Sequence, residues 1–255
     1  MKSFASFCAI LAVAGVAVAQ DGLYGTFIVG QKFVNLAALN DSIAANSQTQ
    51  GVAFASNNWT FGGEGHMIIA KNFVLGGKGF GFSQERAVPS DSKRRLRISG
   101  GMGVGTLGYA FLGGEGGTFR LIPQIGVGVA PFLFQSKRII DSVSSRNFST
   151  IFRSENDNMA VLAKAGLVLD GALSIDWYMK FIHLLSVIPG LECGPLLHAE
   201  VGYTYIPVNL KWMRDVDQLS TEPNMKFDGF YFNVGIGLGF STAKNPEREK
   251  EQERE

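Results

Sequence analysis

From Phe230 to Phe240 the chain alternates without a break. One face reads Phe230, Phe232, Val234, Ile236, Leu238, Phe240; the other reads Tyr231, Asn233, Gly235, Gly237, Gly239. A period of two belongs to a β-strand whose faces meet different surroundings. One such strand fits a soluble sandwich as well as a barrel, so recurrence has to decide.

The pattern recurs. Strands are expected at Leu23–Gly30, Trp59–Ala70, Phe73–Ser83, Leu96–Phe111, Phe119–Leu133, Met159–Asp170 and Leu197–Tyr205, which with the last makes about eight. The sixth has an expected bend at Gly171 and a continuation to Phe181. In Asn35–Ala45, Leu36, Leu39 and Ile43 recur at helical spacing behind Asn35, a residue suited to capping, so a short helix is expected in the first long loop. Residues 84–94, 136–157, 182–195 and 207–227 read as loops, whereas Lys71-Asn72 and Gly113–Gly117 read as tight turns. Long connections after strands 1, 3, 5 and 7 against short ones after 2 and 4 suit an up-and-down meander that crosses a membrane. The connection after strand 6 is too long for that rule. The expected fold is all-β: an eight-stranded antiparallel up-and-down β-barrel with a short helix in its first long loop.

The chain opens with Lys2, an apolar run from Phe4 to Val18, and Ala17-Val18-Ala19 before Gln20. That is the layout of a secretory signal peptide over residues 1–19. Residues 20–241 then form the barrel domain, and 242–255, dominated by Glu, Arg and Lys, form a charged tail expected to lack structure. Without the signal, basic and acidic residues are equal in number, so nothing favours nucleic acid as a partner. Cys193 is then the one cysteine, which excludes an internal disulfide and a thiolate cluster. No later stretch is apolar and long enough for a spanning helix, so membrane embedding requires a closed barrel.

With the bulky apolar face outward, the lumen would collect Glu64, His66, Lys78, Arg97, Arg120, Gln124, Lys164, Asp170, His198, Glu200 and Asn233. An eight-stranded barrel is just wide enough for side chains to fill. Charges in such a space must pair, so a paired ionic plug is expected. Glu64-x-His66 and His198-x-Glu200 each put both groups on one strand face, which invites a catalytic or metal reading. There is no H-E-x-x-H and no G-x-S-x-G, and strands 2 and 7 are not neighbours in a meander. These four are therefore expected to be structural, with no catalysis, cofactor or metal. The glycines of 76–81 and 100–105 open no helix and carry no Gly-Lys-Ser/Thr, so they read as strand glycines. Trp59, Tyr203, Tyr205, Tyr231 and Trp212 are candidates for an interfacial aromatic girdle.

The segments Leu39-Asn40, Phe61–Gly65, Ile98–Gly103, Arg120–Gly128 and Gly229–Phe232 resemble bacterial outer-membrane β-barrel proteins, a family without an established activity. The resemblance implies a lipid bilayer around the barrel and residence in a Gram-negative outer membrane. Phe230–Phe240 resembles the closing signal read by the barrel-assembly machinery, although here a charged tail follows it. The expected role is structural or surface interaction through the long loops, with an extracellular partner unspecified. Two alternatives stand beside it: a soluble lipocalin-like barrel around a hydrophobic ligand, and a lipid-handling membrane enzyme.

Overall fold

The computed structural model describes residues 22–46, 49, 51–69, 72–111, 119–138, 159–179, 191–209, 213–214, 217–218 and 228–242. The expected signal peptide, Lys71, Gly113–Gly117, Trp212 and the tail beyond Thr242 lie outside them.

The elements are β1 (Gly22–Phe33), α1 (Ala37–Ala44), β2 (Asn57–Ile69), β3 (Phe73–Val88), β4 (Asp91–Tyr109), β5 (Phe119–Arg138), β6 (Met159–Tyr178), β7 (Leu191–Asn209), the two-residue pair β8 (Met213–Arg214) and β9 (Asp217–Gln218), and β10 (Gly229–Thr242). Strands β1 to β7 pair with their neighbours in sequence, β7 pairs with β10, and β10 pairs with β1, all antiparallel. The ring has eight staves and no edge strand, which removes the unpaired backbone an open sheet presents.

The stagger follows from the pairing. Stepping from Thr26 through Glu64, Lys78, Val104 and Gly128 reaches Val168 on β6; stepping the other way through Gly237 and Leu196 reaches Tyr178. The ladder therefore closes with a shear of ten residues, and the strands must tilt by about 40° to the barrel axis.

Several expected loops are strand. Residues 84–88 and 91–94 continue β3 and β4 around Pro89-Ser90, with Ser83 opposite Ser99 and Glu85 opposite Arg97. Most side chains there are polar on both faces, Gln84 pairing with the Ala55 backbone and only Val88 reaching the apolar core, so periodicity vanishes while the backbone ladder persists. β5 likewise runs on to Arg138, and β7 extends from Leu191 to Asn209, taking in Cys193 and Pro195. Thr242, assigned above to the tail, ends β10.

α1 lies over the barrel's upper mouth, at the end opposite the start of β1. Asn35 does not sit at the N-cap position, which is Leu36; its Oδ1 still accepts the Ala37 N–H at 3.1 Å. Leu36, Leu39 and Ile43 are buried with Val52, Phe54, Phe82, Leu96, Ile98 and Phe132 in one cluster. Asn40 fixes the loop from inside: its Nδ2 donates to the Phe54 carbonyl at 3.0 Å and its Oδ1 accepts the Phe54 N–H at 2.9 Å. The upper lumen is thus an apolar core closed by the first loop.

This core explains a reversed strand. On β4 the bulky set Leu96, Ile98, Met102 and Val104 faces inward, contrary to the expected outward orientation, and Gly101, Gly103 and Gly105 face out. The β4 side chains fill the lumen where α1 needs apolar partners.

Candidate functional site in the lumen

Below the apolar core lies an ionic layer. Of the expected lumen residues, Glu64, His66, Lys78, Arg120, Gln124, Lys164, Asp170, His198, Glu200 and Asn233 are all buried, Arg120 being the most exposed at 8 %. Arg97 is the exception and corrects the reading above. It follows the reversed parity of β4 onto the outer surface, where its Nε donates to Ser83 Oγ at 2.8 Å.

The shared face of each strand positions the rest. Glu64 and His66 lie two apart on β2, His198 and Glu200 two apart on β7, and the ring diameter brings the two pairs together. Lys78 Nζ bridges Asp170 Oδ2 at 2.7 Å and also contacts Glu200 Oε1. Glu200 is held from several sides: Gln124 Nε2 donates to its Oε1 at 2.8 Å and Asn233 Nδ2 to its Oε2 at 3.1 Å. The Tyr231 hydroxyl donates to Asp170 Oδ2 at 3.1 Å. Tyr231 is 1 % exposed, so it belongs to the plug and not to an interfacial girdle.

A second group closes on itself. His198 lies 2.7 Å from Asp176 Oδ1 through Nδ1 and 3.2 Å from Glu64 Oε2 through Nε2. His66 lies 3.0 Å from Asp176 Oδ2 through Nε2 and 3.9 Å from Glu64 Oε1 through Nδ1. Acid and imidazole alternate around this ring, so each carboxylate faces two potential donors. Strands 2 and 7 are not neighbours, as expected, yet their groups meet. They are separated along the wall by β1 and β10, but they face each other across a lumen only side chains wide.

Asp176 and Ser174 are buried in the lumen although neither is among the expected lumen residues. β6 is expected to continue past Gly171, and its alternation from Asp170 through Ala172 and Ser174 puts Asp176 and Tyr178 on the inner face. Lys32, which hydrogen-bonds Thr204 Oγ1, lies on β1 beyond its expected end at Gly30 and so is absent from the expected lumen set.

A lower apolar layer of Tyr24, Ile68, Val74, Ala110, Ile122, Tyr178 and Leu196 seals the other side. Outside, the wall is apolar: Ile125 is 68 % and Ile236 67 % exposed, with Phe27, Phe61, Val127, Val201, Val234 and Leu238 also turned outward. Exposed aromatics collect at both ends of this band. Trp59, Tyr203, Tyr205 and Phe230 mark the upper end; Phe73, Tyr109, Phe111, Phe119 and Trp177 mark the lower. Tyr203 and Phe230 stack edge-on at 4.8 Å, and Phe73 and Tyr109 at 5.5 Å. Trp59 is ten residues from Ile69, the partner of Phe73. At about 3.3 Å per residue and a tilt of about 40°, the two belts are about 25 Å apart along the axis.

The architecture is therefore that of an eight-stranded antiparallel barrel with an apolar outer wall and an ionic centre. No family model and no curated protein matches the chain. Among solved structures it is similar to Ail, the attachment invasion locus protein of Yersinia pestis, at 10 % identity over 87 % of this chain and 98 % of that one, TM-score 0.40. It is also similar to the outer membrane protein OprG of Pseudomonas aeruginosa (12 %, 88 % and 97 %, TM-score 0.40) and to Neisserial surface protein A (11 %, 86 % and 96 %, TM-score 0.37). Likeness at these values carries no weight for function.

Proposed function

We propose that the protein is an outer-membrane β-barrel of a Gram-negative bacterium with a structural or surface-interaction role and a lumen closed by its own side chains. The observation that carries this is the polarity of the wall. A continuous apolar band about 25 Å tall between two aromatic belts is the dimension of a hydrocarbon layer. No helix among the described residues is long and apolar enough to cross a membrane, so crossing would fall to the strands. Residues 1–19 would direct export, and β10, which closes the ring on β1, would be the strand offered to the assembly machinery.

The soluble-barrel alternative needs its bulky apolar set inside around a ligand. Here Ile125 and Ile236 point out, and the cavity between Lys32, Phe80, Phe82 and Phe132 is ≈ 10 Å³, room for about one water. Catalysis is not assigned either, because the imidazoles and carboxylates lie between two sealed apolar layers. The surface available for partners is then the polar upper end, where the β3–β4 hairpin carries Glu85, Arg95 and Arg97 on its outer face.

The test is electrophoresis of the detergent-extracted protein from fractionated membranes, unheated against boiled. A mobility shift in the outer-membrane fraction is expected. Recovery as a freely soluble protein without a shift overturns the reading. In planar bilayers the purified barrel should show no steady conductance; a stable open channel would overturn the closed lumen.

A further inference from the structure

We propose that Glu64, His198 and Glu200 form a binding site for one divalent transition-metal ion in the lumen, zinc being the ion the donor set suits best, with Asp176 positioning His198. The inference rests on the barrel interior and not on the membrane reading.

Three observations converge. First, one ligand atom from each of Glu64, His198 and Glu200 lies within 4.8 Å of the other two, and all three residues are buried. Second, Glu64 Oε2 and His198 Nε2 face each other at 3.2 Å on side chains 2 % and 0 % exposed, yet neither makes a hydrogen bond of good geometry. Buried polar atoms are ordinarily satisfied; His66 Nε2 and Asp176 Oδ2 are left in the same state at 3.0 Å, but among the described residues only the Glu64–His198 pair has a third ligand, Glu200, beside it for a cation to complete. Third, His198 Nδ1 sits 2.7 Å from Asp176 Oδ1. A carboxylate on the far nitrogen fixes the imidazole tautomer and leaves the Nε2 lone pair directed at the ion.

The surroundings fit. Glu200 is oriented by Asn233, Lys78 and Gln124. Gln124 Nε2 lies 2.8 Å from Glu200 Oε1 and 3.5 Å from Glu64 Oε1, so the same amide turned over offers an oxygen as a fourth ligand. Lys78 bridges Asp170 and Glu200, whereas Glu64 and Asp176 face imidazoles. Compensating positive charge between Glu64 and His198 can thus come from a proton or from a metal ion. Imidazole with carboxylates suits zinc, at about 2.0–2.2 Å per ligand, so the facing atoms need little movement to close on it. Because apolar layers seal both sides, the ion would enter as the barrel forms and leave only when it opens.

The test uses the full chain produced in zinc-supplemented cells, extracted in detergent without chelator, gel-filtered, and analysed by plasma mass spectrometry. About one zinc per chain is expected. Glu64→Gln and His198→Gln should lower the ratio at least tenfold, Arg97→Gln should leave it unchanged, and Asp176→Asn should weaken retention by about 10–100-fold. Heat-dependent mobility reports folding separately, so a wild type that shifts on heating yet holds no zinc sinks the site and leaves the barrel standing. Where the ligand variants fail to fold, the wild type refolded with cobalt(II) should show visible d–d absorption of a low-symmetry site. A folded barrel without that absorption overturns the proposal.

Discussion

Lys78 on β3 and Asp170 on β6 bridge at 2.7 Å across the lumen although β4 and β5 separate their strands along the wall. Neither side chain is exposed to solvent. Removing one partner of such a pair strands a buried charge. Lys78→Met is therefore expected to cost about 3–5 kcal/mol, since it leaves Asp170 and Glu200 uncompensated. Equilibrium urea unfolding in detergent, followed by tryptophan fluorescence, measures this. Adding Asp170→Asn and Glu200→Gln to Lys78→Met should restore part of the loss. A single variant as stable as wild type would show that the bridge contributes nothing.

Asn40 and Phe54 hold each other by two reciprocal hydrogen bonds, and the loop between α1 and β2 depends on them. Asn40→Ala leaves the Phe54 N–H and carbonyl without those partners, at a cost of about 1–3 kcal/mol. The effect should be local. Limited proteolysis at the upper mouth should accelerate while the heat-dependent mobility shift persists. An unchanged digestion rate would mean that the apolar contacts of Leu39 and Ile43 hold the loop by themselves.

The barrel was legible where a strand's faces differ, as in β10, whose Phe232, Val234 and Ile236 point out and whose Tyr231 and Asn233 point in. β4 departs from the expected orientation because its Leu96 and Ile98 answer to the first loop and not to the outside. No periodicity within β4 records that α1 will fold over the mouth, and Arg97 went wrong with its strand. The ends of β3 and β7 were lost where both faces are polar or where Pro195 interrupts the pattern. The ionic residues were legible one strand at a time. Their pairing was not, because sequence order measures distance around the wall, whereas Glu64 and His198 meet across the diameter.

Two glycines near the β4–β5 ladder separate backbone packing from empty surface. A Cβ on Gly128 would lie 2.0 Å from the Gly103 carbonyl oxygen, whereas a Cβ on Gly103 meets nothing within 4 Å. Gly128→Ala should lower stability by about 1–3 kcal/mol or more, because close-packed backbone cannot give by that amount without shifting the ladder. Gly103→Ala should be neutral within about 0.5 kcal/mol. Equal effects in urea unfolding would mean that this part of the wall is looser than its geometry implies.

Ile125 decides between bilayer and water around the wall. It projects outward on β5, between Phe119 at the lower belt and the polar Gln135 above, and is 68 % exposed. A cation placed there faces hydrocarbon if the barrel spans a membrane, at a depth where Arg costs about 2–4 kcal/mol. Ile125→Arg should therefore fold in detergent micelles but lose stability in lipid vesicles by about that amount. Arg97→Ala, beyond the apolar band, should change little in either medium. For a barrel surrounded by water the same substitution adds a charge to an already solvated face, and stability in lipid vesicles would not fall. Equal stability of Ile125→Arg and wild type in lipid would thus remove the bilayer from around this protein, while the ring of eight strands would remain.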